Sequence, residues 1–167
     1  MALTQVQGGM ILASGQSIPK AALPTGSVLQ VVNTFYTTQT SLNSTSYTDI
    51  SGYSASITPT SATSRILVIV SANVAHNPQT GGYLAVLRGS TNITSTNGFW
   101  FYAGNANTQF SGLAATINVL DSPATTSSTT YKIQWKCDNA NPIFINRSES
   151  GSGTTGTSSI TLMEIAA

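Results

Sequence analysis

The run RILVIVSANVA (residues 65–75) decides the fold class. It is dense in β-branched residues, and its apolar positions do not recur at the helical spacing of three and four, so it reads as a strand. At a period of two, Ile66, Val68 and Val70 fall on one side and Leu67 and Ile69 on the other. An antiparallel strand ordinarily turns one polar face to water. A strand apolar on both faces needs a cover on both. A symmetry-related copy of the chain is the simplest cover, and a terminal arm or a loop of the same chain is the alternative.

The same period continues on both sides of this run. SVLQVVNTFYT (27–37) reads as a first strand, and Tyr47 to Ile57 as a more polar second one. The loop TPTSATS follows before Arg65. GYLAVLR (82–88) comes after the turn at 76–81. A short strand at 92–95 ends at the tight-turn pair Asn97-Gly98. The aromatic cluster 99–102 and the strand 113–120 precede the loop DSPATTSS. Residues 130–137 alternate cleanly, with Tyr131, Ile133, Trp135 and Cys137 on one side and Lys132, Gln134 and Lys136 on the other. Residues 142–146 and 158–165 complete the series. About eight or nine short strands separated by turn signals predict an all-β sandwich or barrel. A final strand so close to the last residue is expected inside a sheet, paired on both edges.

Composition narrows the function. The chain has 167 residues, with 6 Lys or Arg, 5 Asp or Glu, 1 His and 1 Cys. Roughly 29% of it is Ser or Thr, outside ordinary soluble composition. Catalysis needs converging ionisable groups, so an enzyme is not expected. Gly52-Tyr53-Ser54-Ala55-Ser56 and Gly151-Ser152-Gly153 match neither a nucleophile elbow nor a phosphate loop. A formal charge of +1 with no basic stripe excludes nucleic acid as a partner. No window of 18 apolar residues exists, so no membrane span is expected. One cysteine cannot form an intrachain disulfide, and stability has to come from packing and assembly.

Candidate sites are correspondingly few. Residues 1–26 lack strand periodicity and carry Pro19, Pro24 and a Gly-Gly pair, yet Val6, Met10, Ile11, Leu12, Ile18 and Leu23 recur along them. We read this segment as an extended attachment arm, with the globular domain at 27–167. His76 reads as a solvated loop residue rather than a metal ligand. Asp138-Asn139-Ala140-Asn141 has oxygen ligands at short spacing, but Asx residues also favour turns. No metal or cofactor is expected. Four consecutive aromatics, Phe99 to Tyr102, cannot all face one core. Leu67, Ile69, Phe99 and Phe101 are candidates for an oligomer interface. Trp100, Tyr102, Asn105 and Asn107 are candidates for contact with a receptor glycan.

ITPTSATSRILVIVSANV, VLDSPATTSSTTYKIQWK and the ending SSITLMEI resemble a group of bacteriophage virion proteins of the tail-fibre, fibre-tip and structural type. The resemblance covers about residues 27–165. It implies the jelly roll of the tumour-necrosis-factor and complement-head type, a homotrimer whose last strand lies centrally in its inner sheet. MALTQVQGGMI also resembles the start of phage fibre and spike proteins, which attach to the virion by their N-terminus. The expectation is a non-enzymatic phage protein located in the virion, with a jelly-roll sandwich and an N-terminal arm that contacts other virion proteins. Two roles compete. One is a capsid decoration or cement protein, favoured by the brevity of the chain and its lack of a shaft repeat. The other is a tail-fibre or fibre-tip protein that binds a host surface glycan.

Overall fold

A computed structural model describes residues 23–76, 80–102, 112–147 and 155–167. Among them eleven strands run in chain order: β1 (Val28–Tyr36), β2 (Thr40–Leu42), β3 (Thr48–Ile57), β4 (Arg65–His76), β5 (Gly82–Arg88), β6 (Thr91–Asn92), β7 (Phe99–Phe101), β8 (Gly112–Asp121), β9 (Thr129–Cys137), β10 (Ile143–Ile145) and β11 (Ser158–Ile165). They form two antiparallel sheets whose inner faces share one hydrophobic core, an arrangement compatible with a β-sandwich.

In the first sheet β4 is the hub. β8 pairs along one edge of it, from Ile66 to Ala75. On its other edge β11 pairs with Arg65 to Ser71, and β10 with Val74 to His76. β1 lies beyond β11, and β2 beyond β10. The second sheet runs β3–β9–β5, and the far edge of β5 pairs with β7 at one end and β6 at the other. The alternation of β4 sets the core: Ile66, Val68, Val70, Ala72 and Val74 are fully buried. Tyr131, Ile133, Trp135 and Cys137 of β9 face them from the opposite sheet, all buried as their spacing predicts. As expected of the final strand, β11 sits between two neighbours and buries Ile160 and Leu162.

Three features depart from the sequence reading. β2, Thr-Ser-Leu, has no strand pattern of its own, and it is strand only because β10 pairs with it. His76 is not a solvated loop residue: it ends β4, is buried, and stacks on Tyr102 with ring centroids 6.0 Å apart. β3 carries a bulge, its register against β9 jumping between Asp49 and Ser54. Gly52, at φ 82°, supplies the left-handed turn inside the bulge. Ile50 and Tyr53, three residues apart, therefore both point inward, where a regular strand would have split them.

Polar groups lock the two sheets together. The Tyr53 hydroxyl lies 3.0 Å from both the Ser71 and Ser159 carbonyls of the opposite sheet, and its ring stacks on Tyr36 at 4.9 Å. Burial pushes its ionisation far above the usual tyrosine range, so it remains a donor. The Asp121 carboxylate on β8 receives Arg88 Nη1 at 2.8 Å from β5 and the Tyr131 hydroxyl at 2.7 Å from β9. Asn146, fully buried at φ 58°, joins three segments. Its amide donates to the Tyr36 and Thr38 carbonyls at 2.6 and 3.2 Å, and its Oδ1 accepts from the Ser158 hydroxyl at 2.7 Å. Asparagine is among the few residues that enter left-handed backbone readily, and here every polar side-chain atom is used.

At the other end of the sandwich Glu164 is a buried carboxylate held by neutral donors. Oε2 accepts from Gln30 Nε2 at 2.6 Å, and Oε1 accepts from the Thr60 amide and hydroxyl at 2.7 Å. Burial alone would raise its pKa, but these donors outweigh it and hold the carboxyl below its ordinary value. The buried Ser64 hydroxyl adds to the attraction without meeting hydrogen-bond geometry to any partner.

Two outcomes are expected from these nodes. Asn146→Asp keeps the shape but replaces two donated hydrogen bonds with carboxylate oxygens facing carbonyls. It should lower unfolding free energy by about 3 kcal/mol, read from urea denaturation at pH 7; a loss under about 0.5 kcal/mol would refute this role. Glu164 binds its proton less tightly folded than unfolded, so its contribution is present above the unfolded carboxyl range and fades as pH falls through the lower folded value. The stability gap between the wild type and Glu164→Gln should therefore be widest near pH 7 and shrink below about pH 4.5. A gap that does not change between pH 7 and pH 3 would contradict the assignment.

Candidate functional site

Two surfaces on opposite sides of the molecule stand out. The first is the outer face of the β4 sheet. Register places Val31, Met163, Leu67 and Leu120 side by side across β1, β11, β4 and β8. At about 4.8 Å between neighbouring strands, this apolar row is about 14 Å long. Val31 and Leu120 are 54% and 43% exposed, and Leu67 and Met163 are half-buried. The adjacent row holds Asn33, Thr161, Ile69 and Asn118, and the next adds Phe35, at 70% exposure. Val28 lies at the other end of β1, also half in water. The row exists because β4 is apolar at odd as well as even positions and each partner strand supplies an apolar residue in register. One such side chain on a surface is ordinary; a row across four strands makes this face a candidate interaction surface.

The second surface lies on the outer face and open edge of the other sheet. Trp100 of β7 neighbours Tyr83 of β5, which neighbours Lys136 of β9. Lys136 Nζ sits 4.7 Å from the centre of the Tyr83 ring and 4.9 Å from that of Tyr47, a cation held between two aromatic faces. The Tyr47 hydroxyl donates to the Asn97 carbonyl at 2.8 Å and fixes its own ring across the sheet. Trp100 stacks on Tyr102 with centroids 5.5 Å apart and planes 15° apart, and Tyr102 continues to His76. Trp100 and Tyr102 remain 59% and 44% exposed. Gly81 makes room for the indole: a methyl group there would lie 2.7 Å from Trp100 Nε1 and 3.0 Å from Asp138 Oδ2. Beside this row, a cleft of about 260 Å³ opens at the seam between β7 and β8. Phe99, Phe101, Leu113 and Ile117 are among its lining residues.

The four candidate interface residues do not converge. Leu67 and Ile69 lie on the outer face of the β4 sheet, whereas Phe99 and Phe101 lie on β7 of the other sheet. Phe101 is buried in the core, and Phe99 is partly exposed at the cleft. Trp100 and Tyr102 do sit together, while Asn105 and Asn107 fall outside the described residues. So do Val6, Met10, Ile11, Leu12 and Ile18 of the arm. Leu23 is half-buried, and next to it Gly26 and Ser27 pair with Ala166 through backbone hydrogen bonds of 2.8 and 2.9 Å.

The segment 138–141 forms local turns. Asp138 Oδ2 accepts from the Gly81 amide at 2.9 Å, and Asn139 Oδ1 accepts from the Asn141 amide and the Thr80 hydroxyl. Among the described residues no three His, Cys, Asp or Glu side chains gather. Cys137 is buried, its thiol donating to the Leu42 carbonyl at 3.3 Å, and burial raises its pKa. Val31, Met163, Leu120 and Phe35 escaped the sequence reading as surface residues. So did Tyr47 and Tyr83, while Lys136 was read on the polar side of its strand but not as part of a site. Each joins its row through register with a distant strand. No family model matches the chain, and no curated protein matches it.

Proposed function

We propose that this chain is a non-enzymatic structural protein of a bacteriophage virion, a homotrimeric decoration or cement protein that binds the capsid through its N-terminal arm. The observation that carries the reading is the apolar row Val31–Met163–Leu67–Leu120 on the outer face of the β4 sheet. With a formal charge of +1, the chain has little net repulsion to keep copies apart. Three copies that turn this face toward a common three-fold axis cover it without a second protein.

The jelly roll, which the resemblance implies, draws support from the pairing. Jelly rolls pair their first strand with the eighth, the second with the seventh, the third with the sixth and the fourth with the fifth. Taking β1, β3, β4, β5, β7, β8, β9 and β11 as the eight principal strands, those pairs are β1–β11, β3–β9, β4–β8 and β5–β7. β2 and β6 are short strands in connections, and β10 lies between β9 and β11. The three-fold symmetry and the virion setting rest on the resemblance of the strand and loop phrases. Within that setting, residues 1–26 provide attachment, entering the domain beside Ala166.

A second reading, a tail-fibre or fibre-tip part, is favoured by a different observation. Trp100 and Tyr102 stay exposed on the sheet opposite the apolar row, where packing around β4 leaves them open.

Immunogold labelling of intact particles separates the two roles. Label distributed over the head is expected; label confined to the tail would replace the decoration role with the fibre role, and no label on particles would refute both. Assembly is tested separately by Leu67→Asp, which puts an unpaired charge in the row. The variant should keep its β-rich circular dichroism and sediment as a monomer. Unchanged sedimentation would exclude the row as the subunit contact.

A further inference from the structure

The aromatic row on the outer face of the second sheet has features of a ligand platform that the apolar row lacks. The apolar row is aliphatic and central, as a subunit contact is. The aromatic row alternates flat rings with polar ends: Trp100, Tyr83, Lys136 and Tyr47 in sequence across three strands and the segment before β3. We propose that this row binds an oligosaccharide of at least two pyranose units, a proposal that rests on the fibre reading for its biological setting but not for its geometry.

A pyranose has a face of C–H bonds and a rim of hydroxyls. It is bound best by an aromatic ring for the face and by fixed donors and acceptors for the rim. Trp100 is the exposed ring, and stacking on Tyr102 holds it in one orientation. Its rotamer is set before a ligand arrives, which lowers the entropy lost on binding. Two strand spacings, about 10 Å, separate Trp100 from Lys136. That distance lets one sugar lie on Trp100 and the next extend toward β9, with a rim oxygen reaching the ammonium. Lys136 is steadied by two tyrosine faces, so it is a donor at a defined place rather than a swinging chain. On the Trp100 side, Asp138 Oδ2 stands over the same Gly81 as the indole nitrogen and supplies an acceptor for a hydroxyl pair.

The test is binding of the full-length protein to a printed array of bacterial O-antigen and capsular oligosaccharides. Wild type, Trp100→Ala, Trp100→Tyr, Lys136→Met and Thr130→Ala would be compared. Thr130 is a control at the far end of β9 on the same face. The wild type and the control should bind a common set of saccharides. Trp100→Ala should lose binding at least tenfold, Lys136→Met severalfold, and Trp100→Tyr should retain most of it, which separates loss of a ring from loss of folding. Absence of any bound saccharide, or binding unaffected by Trp100→Ala, would overturn the proposal. A change of sedimentation in Trp100→Ala would identify the row as a subunit contact and overturn it too. Tail labelling of particles without saccharide binding would leave the fibre reading standing and remove this proposal. Ring-dependent binding with head labelling would do the reverse.

Discussion

β4 is paired on both edges along almost its whole length, and the rest of the molecule is arranged by that constraint. One edge is taken by a single partner, β8; the other is shared between β11 and β10. A strand so enclosed fixes the register of three others, and through β11 and β10 it fixes β1 and β2. Because its even positions from Ile66 to Val74 are all aliphatic or Ala and fully buried, the same strand also sets the depth of the core. Its odd positions decide something else. Leu67 and Ile69 turn apolar groups away from that core, and the register carries this apolar character sideways to Val31, Met163 and Leu120.

Polar ties in the interior show how a chain with few charges holds a sandwich together. Tyr53, Tyr131 and Asn146 each send a polar group across or along the interior to a partner that needs one. An ionic node, Asp121 with Arg88 and Tyr131, sits where both sheets end. Glu164 is stabilised without a cation, by an amide side chain and one threonine. Short-range hydrogen bonding among Ser, Thr and Asn then shapes the loops, as at Ser61–Thr63 and Asn92–Thr94. The hydroxyl-rich composition is thus in part structural, and does not reveal a site by itself.

Much of the fold was legible in the sequence because strands with strict alternation announce themselves. β4, β5, β9 and β11 were read within a residue or so of their observed bounds, and the inward side of β9 was read residue by residue. β2 was not legible, since Thr-Ser-Leu becomes a strand only through Ile143 to Ile145 on a distant segment. The bulge at Gly52 was missed because its signal, two inward residues three apart, breaks the period used to find strands. The candidate surfaces were half legible. Leu67 and Ile69 stood out by double-sided apolarity, and Trp100 and Tyr102 by crowding. Their neighbours in space, Met163 and Leu120 on one side, Tyr83 and Lys136 on the other, were hidden because register between remote strands is not written locally. Phe101 was grouped with the interface candidates by proximity in sequence, whereas the pleat turns it into the core.

We propose that copies of the same chain around a three-fold axis bury the outer face of the β4 sheet. The most direct measurement is the solution mass of the full-length protein by light scattering at micromolar concentration. A mass three times the 17.3 kDa of the single chain is predicted. A mass equal to that of one chain, with the β-rich spectrum intact, would rule out this assembly.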